Sequence, residues 1–594
     1  MERKDILDKY KWDLSVMYEN DTLWKEEYDK VYSEYKEILN YKGKILESSA
    51  NLLNTIELEL NIGRKLEKLY VYAYMRLDED TNNTYYQEMV GKIDNLNATI
   101  SLDTSFITPE LLESDYSKVE EFIKENDKLK RYEKYLKEIY RYKEHTLSKE
   151  EERVIAAFQQ VLSNPSKTSS LLRNSDLDFG TINVEGEEVK LNNSNYSLYI
   201  SSNNRQVRMD AFKTLYKEYA KHKNTLAQTL SGDMASNITI SKLRGYNSVR
   251  ESSLFDDNIS LDIYDNLVDT VNNNMSTMYK YLSLRKKVLN LDELHLYDIY
   301  APLIEEDEKK YTYEEAREII LKALSVFGED YIANINKAFD ENWIDVYPND
   351  NKRSGAYSWG CYDSNPFILT NFQGRYDDVS TLAHELGHSM HSYYSNKNND
   401  YEYSRYSIFV AEVASTVNEL LLAYHMLETT EDVSQKLKII NELLELYKGT
   451  IYRQTMFAEF EKEIYDLKEK DEVITYEVLN NIYYDLNKKY FGKDVVIDDE
   501  IKYEWSRIPH FYTSFYVYQY ATGLSAATHI VNSILNNEEN AIKNYLEFLK
   551  TGGIDYPTNE LKIAGVNIEN KEVIESAIKT FDSLIDKFEK IYTK

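Results

Sequence analysis

The chain has 594 residues, 42% of them apolar, and a formal net charge of −31. That length and apolar content suit a soluble globular protein with more than one core, and the acidic balance argues against a nucleic-acid partner, because phosphate binding needs a basic face. A single cysteine, Cys361, excludes an intrachain disulfide, and no stretch approaches the roughly 18 consecutive apolar residues of a membrane span.

With 18 Gly and 7 Pro the chain has few turn signals, which predicts a mostly α fold. The N-terminus, MERKDILDKYKWDL, has no apolar run of signal-peptide length, so a cytoplasmic location is expected, with no membrane partner and Cys361 as a free structural thiol. From Asp21 to about Phe158 helical stretches alternate with short polar breaks. One of them carries Leu66, Leu69, Tyr70, Ala73, Tyr74 and Leu77 on one side, a stripe read as core and rim. After a break at Asn164, Pro165 and Ser166, the run DFGTINVEGEEVKL alternates around Glu185 and Gly186 and predicts a small hairpin. A soft boundary there divides the chain into an N-terminal helical lobe, 1–195, and a catalytic domain, 196–594.

The second part opens with an amphipathic helix carrying Val207, Ala211, Phe212, Leu215 and Tyr219, and breaks at Tyr297 to Pro302. Ser354 to Phe372 is strand-like, with a turn at Ser364, Asn365 and Pro366. A short sheet there serves either as an edge for an extended peptide or as a buttress for the helix that follows, and the sequence leaves both readings open.

That helix holds His384, Glu385 and His388 in a His-Glu-x-x-His pattern, TLAHELGHSMHS, with Asp377 and Asp378 placed as N-cap and first-turn acids. One turn apart, the two imidazoles converge on one ion while Glu385 reaches a water beside it, which is the arrangement of a zinc hydrolase. A catalytic zinc takes a third protein ligand. The metzincin pattern is absent, since its Gly and third His positions hold His391 and Tyr394. A helix does not readily aim three imidazoles at one ion, so His391 is assigned to support the ligands from behind. The third ligand is then expected from the next helix, Tyr406 to Leu427, where Glu412 lies among Phe409, Val410, Val413 and Ala414, a carboxylate that needs a cation if it cannot reach water. Glu419, two turns further on the same face, is the rival, or else orients an imidazole. With one zinc held by His384, His388 and Glu412, Glu385 takes the proton of the attacking water and delivers it to the leaving amine. Far downstream, RIPHFYTSFYVYQYATG reads as a loop entering a helix and offers His510 and the tyrosines Tyr512, Tyr516, Tyr518 and Tyr520 as candidates to stabilise the oxyanion, the other reading being a structural histidine beside packed tyrosines.

HELGHSMHS, FVAEVASTVNE and PHFYTSFYVYQYATG, together with KWDL near the start, DIYAPL at 298 to 303 and SGAYSWGCYDSNPFILTNF, resemble the oligoendopeptidase F branch of the thimet-oligopeptidase family of zinc metallopeptidases across nearly the whole chain. The resemblance implies a nearly all-α fold of two helical lobes enclosing a deep substrate channel, with a small β-sheet beside a gluzincin-type HExxH site. It also implies a zinc endopeptidase acting on short unstructured peptides and excluding folded proteins. His384, His388 and Glu412 are then the zinc ligands, Glu385 the base, and His510 with Tyr512, or failing that Tyr516, the groups over the scissile carbonyl. The alternatives are a carboxypeptidase or dipeptidyl carboxypeptidase of the same fold, for which Arg507 is a candidate carboxylate holder, and a non-catalytic peptide-binding protein with structural zinc. Oligomeric state is not legible in the sequence.

Overall fold

The structure, a computed structural model, describes residues 2–304 and 309–593. It is mostly α, with seven short strands among the described residues. The elements that concern the site are, in chain order, α1 (Ser49–Glu79), β1 (Thr181–Val184), β2 (Glu187–Lys190), α2 (Arg205–Lys221), α3 (Lys223–Leu243), β3 (Leu294–His295), β4 (Ile344–Asp345), β5 (Tyr357–Trp359), β6 (Phe367–Leu369), α4 (Tyr376–Asn398), α5 (Ile408–Thr429), α6 (Arg453–Glu469), β7 (Val495–Val496) and α7 (Tyr518–Leu535). No helix of the described residues is long and apolar enough to cross a membrane.

Compactness divides the chain into two units, each made of three segments: Met1–Thr146, Lys309–His425 and Ser533–Gly565 in the first, Leu147–Glu308, Met426–Asn532 and Val566–Lys594 in the second. This partition does not follow the sequence-order division at residue 195, because each unit closes its core with segments hundreds of residues apart.

In the first unit, α1 is started by Ser48, whose hydroxyl accepts the Asn51 N–H at 3.1 Å. It buries Leu66, Leu69 and Ala73 as the stripe predicts. Tyr70 and Tyr74 lie at the rim, stacked on one another at 4.4 Å and both edge-on to Trp359 of β5 at 6.2 Å. The sheet has the order β4-β6-β5, so β5 is an outer strand, antiparallel to β6, while β4 runs parallel to β6. α5 is apolar nearly all round: Phe409, Val410, Val413, Ala414, Val417 and Leu420 are each at most 2% exposed, which marks it as a central helix of its unit.

In the second unit, β1 and β2 form the expected hairpin, with Glu185 and Gly186 both in the left-handed region that such a two-residue turn demands. Asn164 to Leu171 is a short helix with Pro165 in its first turn, so this proline opens an element where the sequence suggested only a break. α2 buries Val207, Ala211, Phe212, Leu215 and Tyr219 as predicted.

Candidate metal centre

α4 starts at Tyr376 with Arg375 as its N-cap, two residues earlier than the acids suggested. Asp377 and Asp378 therefore fall inside the first turn, and Asp378 reaches back to accept the backbone N–H of Arg375 at 2.8 Å and of Gln373 at 3.1 Å. From this start the helix presents His384 and His388 on one face, their Nε2 atoms 3.1 Å apart. Glu412 Oε2 of α5 lies 3.4 Å from His384 Nε2 and 3.7 Å from His388 Nε2.

Three ligand atoms held at 2.0–2.1 Å in a tetrahedral sphere stand roughly 3.3 Å from one another, and the observed spacings bracket that value. Among the described residues these three form the one group of ligating side chains with such spacing. Two imidazole nitrogens facing each other at 3.1 Å repel if both carry protons, and a shared cation removes the conflict. The donor set of two imidazoles and a carboxylate fits a divalent metal of the zinc type.

A glycine at the centre of the motif makes the approach of α5 possible. A Cβ on Gly387 would meet Ser415 Cα at 2.5 Å and the Ala414 carbonyl oxygen at 2.6 Å, so the two helices touch backbone to backbone there. Asn418 fastens the crossing by donating to the Ala383 carbonyl at 3.1 Å. A glycine in mid-helix costs roughly 0.5–1 kcal/mol relative to alanine, so its presence within the motif is itself a sign of close packing.

The surroundings set the ionisation of each group. Glu419 Oε2 lies 3.3 Å from His384 Nδ1, which fixes that ring and aims its Nε2 lone pair at the cluster. Burial opposes charge on His384, but Glu419, Glu385 and Glu412 outweigh it and raise its pKa to about 9. Burial, with the neighbouring His384 charge, pushes His388 down to about 3, and His388 hydrogen-bonds the Ala411 carbonyl. Glu385 is 7% exposed, and burial raises its pKa to about 7, with the Glu412 and Glu419 charges adding to the effect and His384 and the Ser358 N–H of β5 countering it.

Two sequence expectations change. Glu412 sits beside the histidines, but its side chain is 45% exposed, so ion pairing at the cluster rather than burial gives it its place. His391 does not support a ligand: it is fully buried, neither ring nitrogen has a hydrogen-bond partner among the described residues, and the ring stacks on Tyr406 at 3.7 Å and 4°. Being i+3 from His388, it points off the ligand face into the aromatic packing, and burial pushes its pKa to about 3.

His510, Tyr512 and Tyr516 belong to the second unit. They lie on the short 3-10 turn Pro509–Tyr512 and the residues before α7, the predicted loop into a helix. The structure separates the two tyrosines. Tyr512 directs its hydroxyl to Thr229 of α3 at 2.8 Å, whereas the Tyr516 ring lies parallel to His510 at 6.3 Å. Tyr520, a candidate of the stretch that the resemblance did not favour, brings its hydroxyl 3.5 Å from His510 Nε2 and stands edge-on to Tyr516 at 5.4 Å. Burial lowers the pKa of His510.

An acid that spacing did not single out holds this loop. Phe515 has φ +56°, a left-handed conformation rare for an aromatic residue, and its N–H donates to Glu461 Oε1 of α6 at 2.8 Å. Glu461 is 1% exposed, its other oxygen has no partner among the described residues, and burial raises its pKa to about 8, so it serves as a neutral acceptor. Its position among Phe457, Phe460 and Ile464 is the same sequence signal that drew attention to Glu412.

A mostly helical chain with an HExxH helix, a glutamate delivered by the next helix and a buried carboxyl beside them is built as a metallohydrolase. The pattern of peptidase family M3 matches residues 198–580, and that of oligopeptidase F matches residues 110–179. The chain is 43% identical to oligopeptidase PepF of Bacillus subtilis over 594 residues, covering 100% of this chain and 89% of that one. It is 39% identical to the group B oligopeptidase PepB of Streptococcus agalactiae, covering 100% and 98%. A crystal structure of oligoendopeptidase-F from Enterococcus faecium superposes with a TM-score of 0.76 at 36% identity, covering 96% of this chain and 99% of that one. The chain belongs to peptidase family M3, in its oligopeptidase F group, and is a metallopeptidase.

Proposed function

We propose that this metallopeptidase is a zinc-dependent endopeptidase that hydrolyses internal bonds of short, unstructured peptides in the cytoplasm. The observation that carries the reading is the spacing of His384 Nε2, His388 Nε2 and Glu412 Oε2, 3.1 to 3.7 Å, with the Glu385 carboxyl in their field. When bound there, zinc supplies Lewis acidity that polarises a carbonyl and lowers the pKa of an attacking water. Glu385, held near pKa 7, is matched to take that water's proton at neutral pH and to return it to the departing amine. The Ser358 N–H fixes the Glu385 carboxylate, so the base and strand β5 are coupled.

Being an outer strand, β5 can pair with an extended peptide backbone. Beside it lies a cavity of about 690 Å3 lined by Leu66, Tyr70, Trp359, Gly360 and Tyr406, a fit for apolar side chains of such a peptide. His510, with Tyr516 or Tyr512, is proposed to donate to the reacting carbonyl on the strength of the sequence resemblance. Tyr516 is preferred over Tyr512, whose hydroxyl is engaged by Thr229.

The test is a short peptide with both ends blocked, incubated with zinc-loaded protein and followed by mass spectrometry. Internal cleavage that stops on chelation and returns with zinc is expected. Cleavage of the free-ended peptide alone would replace the reading with a carboxypeptidase, and no cleavage of either would remove it.

A further inference from the structure

A second cavity, of about 480 Å3, lies within the second unit, of a volume that suits a small molecule. Its walls are largely aromatic, including Tyr196, Phe212, Tyr216 and Tyr300, and its charged lining groups are two arginines and one acid, Arg453, Arg507 and Glu504. Glu504 is 3% exposed and its oxygens are taken. Oε1 accepts from Arg453 Nη2 at 2.8 Å and from Tyr216 Oη at 3.1 Å, and Oε2 accepts from Tyr483 Oη at 2.6 Å.

Arg507 is left over. Its Nη1 comes only to 3.8 Å of Glu504 Oε1, too far for a hydrogen bond, and among the described residues its guanidinium makes none. The face of Tyr196, 4.9 Å from the guanidinium carbon, is its nearest aromatic support. The arginine's carbonyl is held by Arg173 Nη1 at 3.3 Å, which anchors the backbone without satisfying the side chain. One carboxylate therefore faces two permanent cations, and the second keeps a planar fork of donors turned toward an aromatic cavity. With 24% of its side chain exposed and no bonded acceptor among the described residues, this guanidinium can give two of its N–H groups at once to a planar carboxylate.

We propose that this cavity is a binding site for a small organic carboxylate with an apolar or aromatic body, whose carboxylate pairs with Arg507 while the body packs between Tyr196, Phe212 and Tyr300. The Arg453–Glu504 pair supplies the rigid floor and takes no part in the ligand's charge. No residue of the metal cluster lines this cavity, so the site stands or falls independently of the peptidase activity.

Isothermal titration of the full-length, zinc-loaded protein tests it with N-acetyl-phenylalanine, which has both charge and body, its amide, which lacks the charge, and inorganic phosphate, which lacks the body. N-acetyl-Gly-Gly-Phe, titrated in Glu385→Gln protein so that it is not consumed, separates a free acid from the end of a peptide: binding within threefold of the single residue assigns the site to peptide ends as well, and tenfold weaker binding confines it to free acids. One saturable site for the acid is expected, at least tenfold tighter than for the amide or phosphate, and weakened at least tenfold by Arg507→Gln but less by Arg507→Lys. Equal affinity in Arg507→Gln, an amide or phosphate that binds as well as the acid, or no saturable binding overturns the proposal. Should Arg507→Gln fail to fold, Ser197→Trp, at an exposed position on the cavity wall, fills the space and leaves the charge in place. It should abolish binding, and undiminished affinity in that variant also overturns the site.

Discussion

The metal cluster on α4 and α5 and the His510 segment before α7 differ in what holds their side chains. His384 and His388 take their mutual geometry from helix periodicity, and a single tertiary crossing, allowed by Gly387, adds Glu412. The His510 segment has no such periodic frame. Its turns are fixed one by one by side chains from other helices: Thr229 on Tyr512, Asn237 and Tyr465 on Ser514, and Glu461 on the Phe515 N–H. A helical site is thus rigid by repetition, whereas a loop site is rigid only as far as each separate anchor holds. The electrostatics differ in the same way. Charges at the metal cluster compensate one another, while Glu461 is tolerated by giving up its charge.

The largest effect should come from the cluster itself. Glu385→Gln is expected to retain metal, read by elemental analysis, while turnover falls on the order of 10^3-fold, because it removes the proton acceptor and no ligand. Turnover near that of the unaltered protein would end the assignment. Glu419→Gln should leave the three ligands in place but weaken metal binding about 10- to 100-fold in a competitive chelator titration, since the charge orienting His384 through Nδ1 is lost. An unchanged affinity would show that helix packing alone orients the ring.

The crossing can be broken next. Gly387→Ala places a methyl against backbone that cannot swing aside, and should cost about 1–3 kcal/mol in thermal unfolding together with a loss of metal affinity. Loss of stability with metal binding intact would mean that Glu412 is positioned by something other than the Gly387 contact.

The effect at the loop's anchor leaves the metal cluster untouched and is read as a pH slope. Between the ordinary glutamate value near 4.5 and about 8, folded Glu461 keeps a proton that the unfolded chain has released. Stability therefore falls as pH rises through that window, by up to about 1.4 kcal/mol per unit for this one group. Glu461→Gln keeps an acceptor for the Phe515 N–H and should flatten that part of the profile in denaturant titrations at several pH values. An identical slope in both proteins would show that Glu461 is not held neutral.

Helical periodicity and residue chemistry were sufficient to mark α4 and its two histidines, the approximate place of Glu412 and Glu419, the hairpin around Glu185 and the helix entered after His510. Each is a local pattern, readable because a period of 3.6 or 2 residues decides which side chains share a face. What the pattern could not supply was anything set by contact between distant segments. The half-exposed state of Glu412, the withdrawal of His391 into a stack with Tyr406, the diversion of Tyr512 to Thr229 and the bond from Glu461 to a left-handed Phe515 all depend on which helix lies opposite. Arg507 shows the same limit: the sequence offers it only as a possible holder of a peptide's terminal carboxylate, and it is folding that sets it on an aromatic cavity and gives Glu504 to Arg453 first. Local backbone geometry is encoded residue by residue, but the partner of a charge is decided by packing, where the nearest competitor takes the bond.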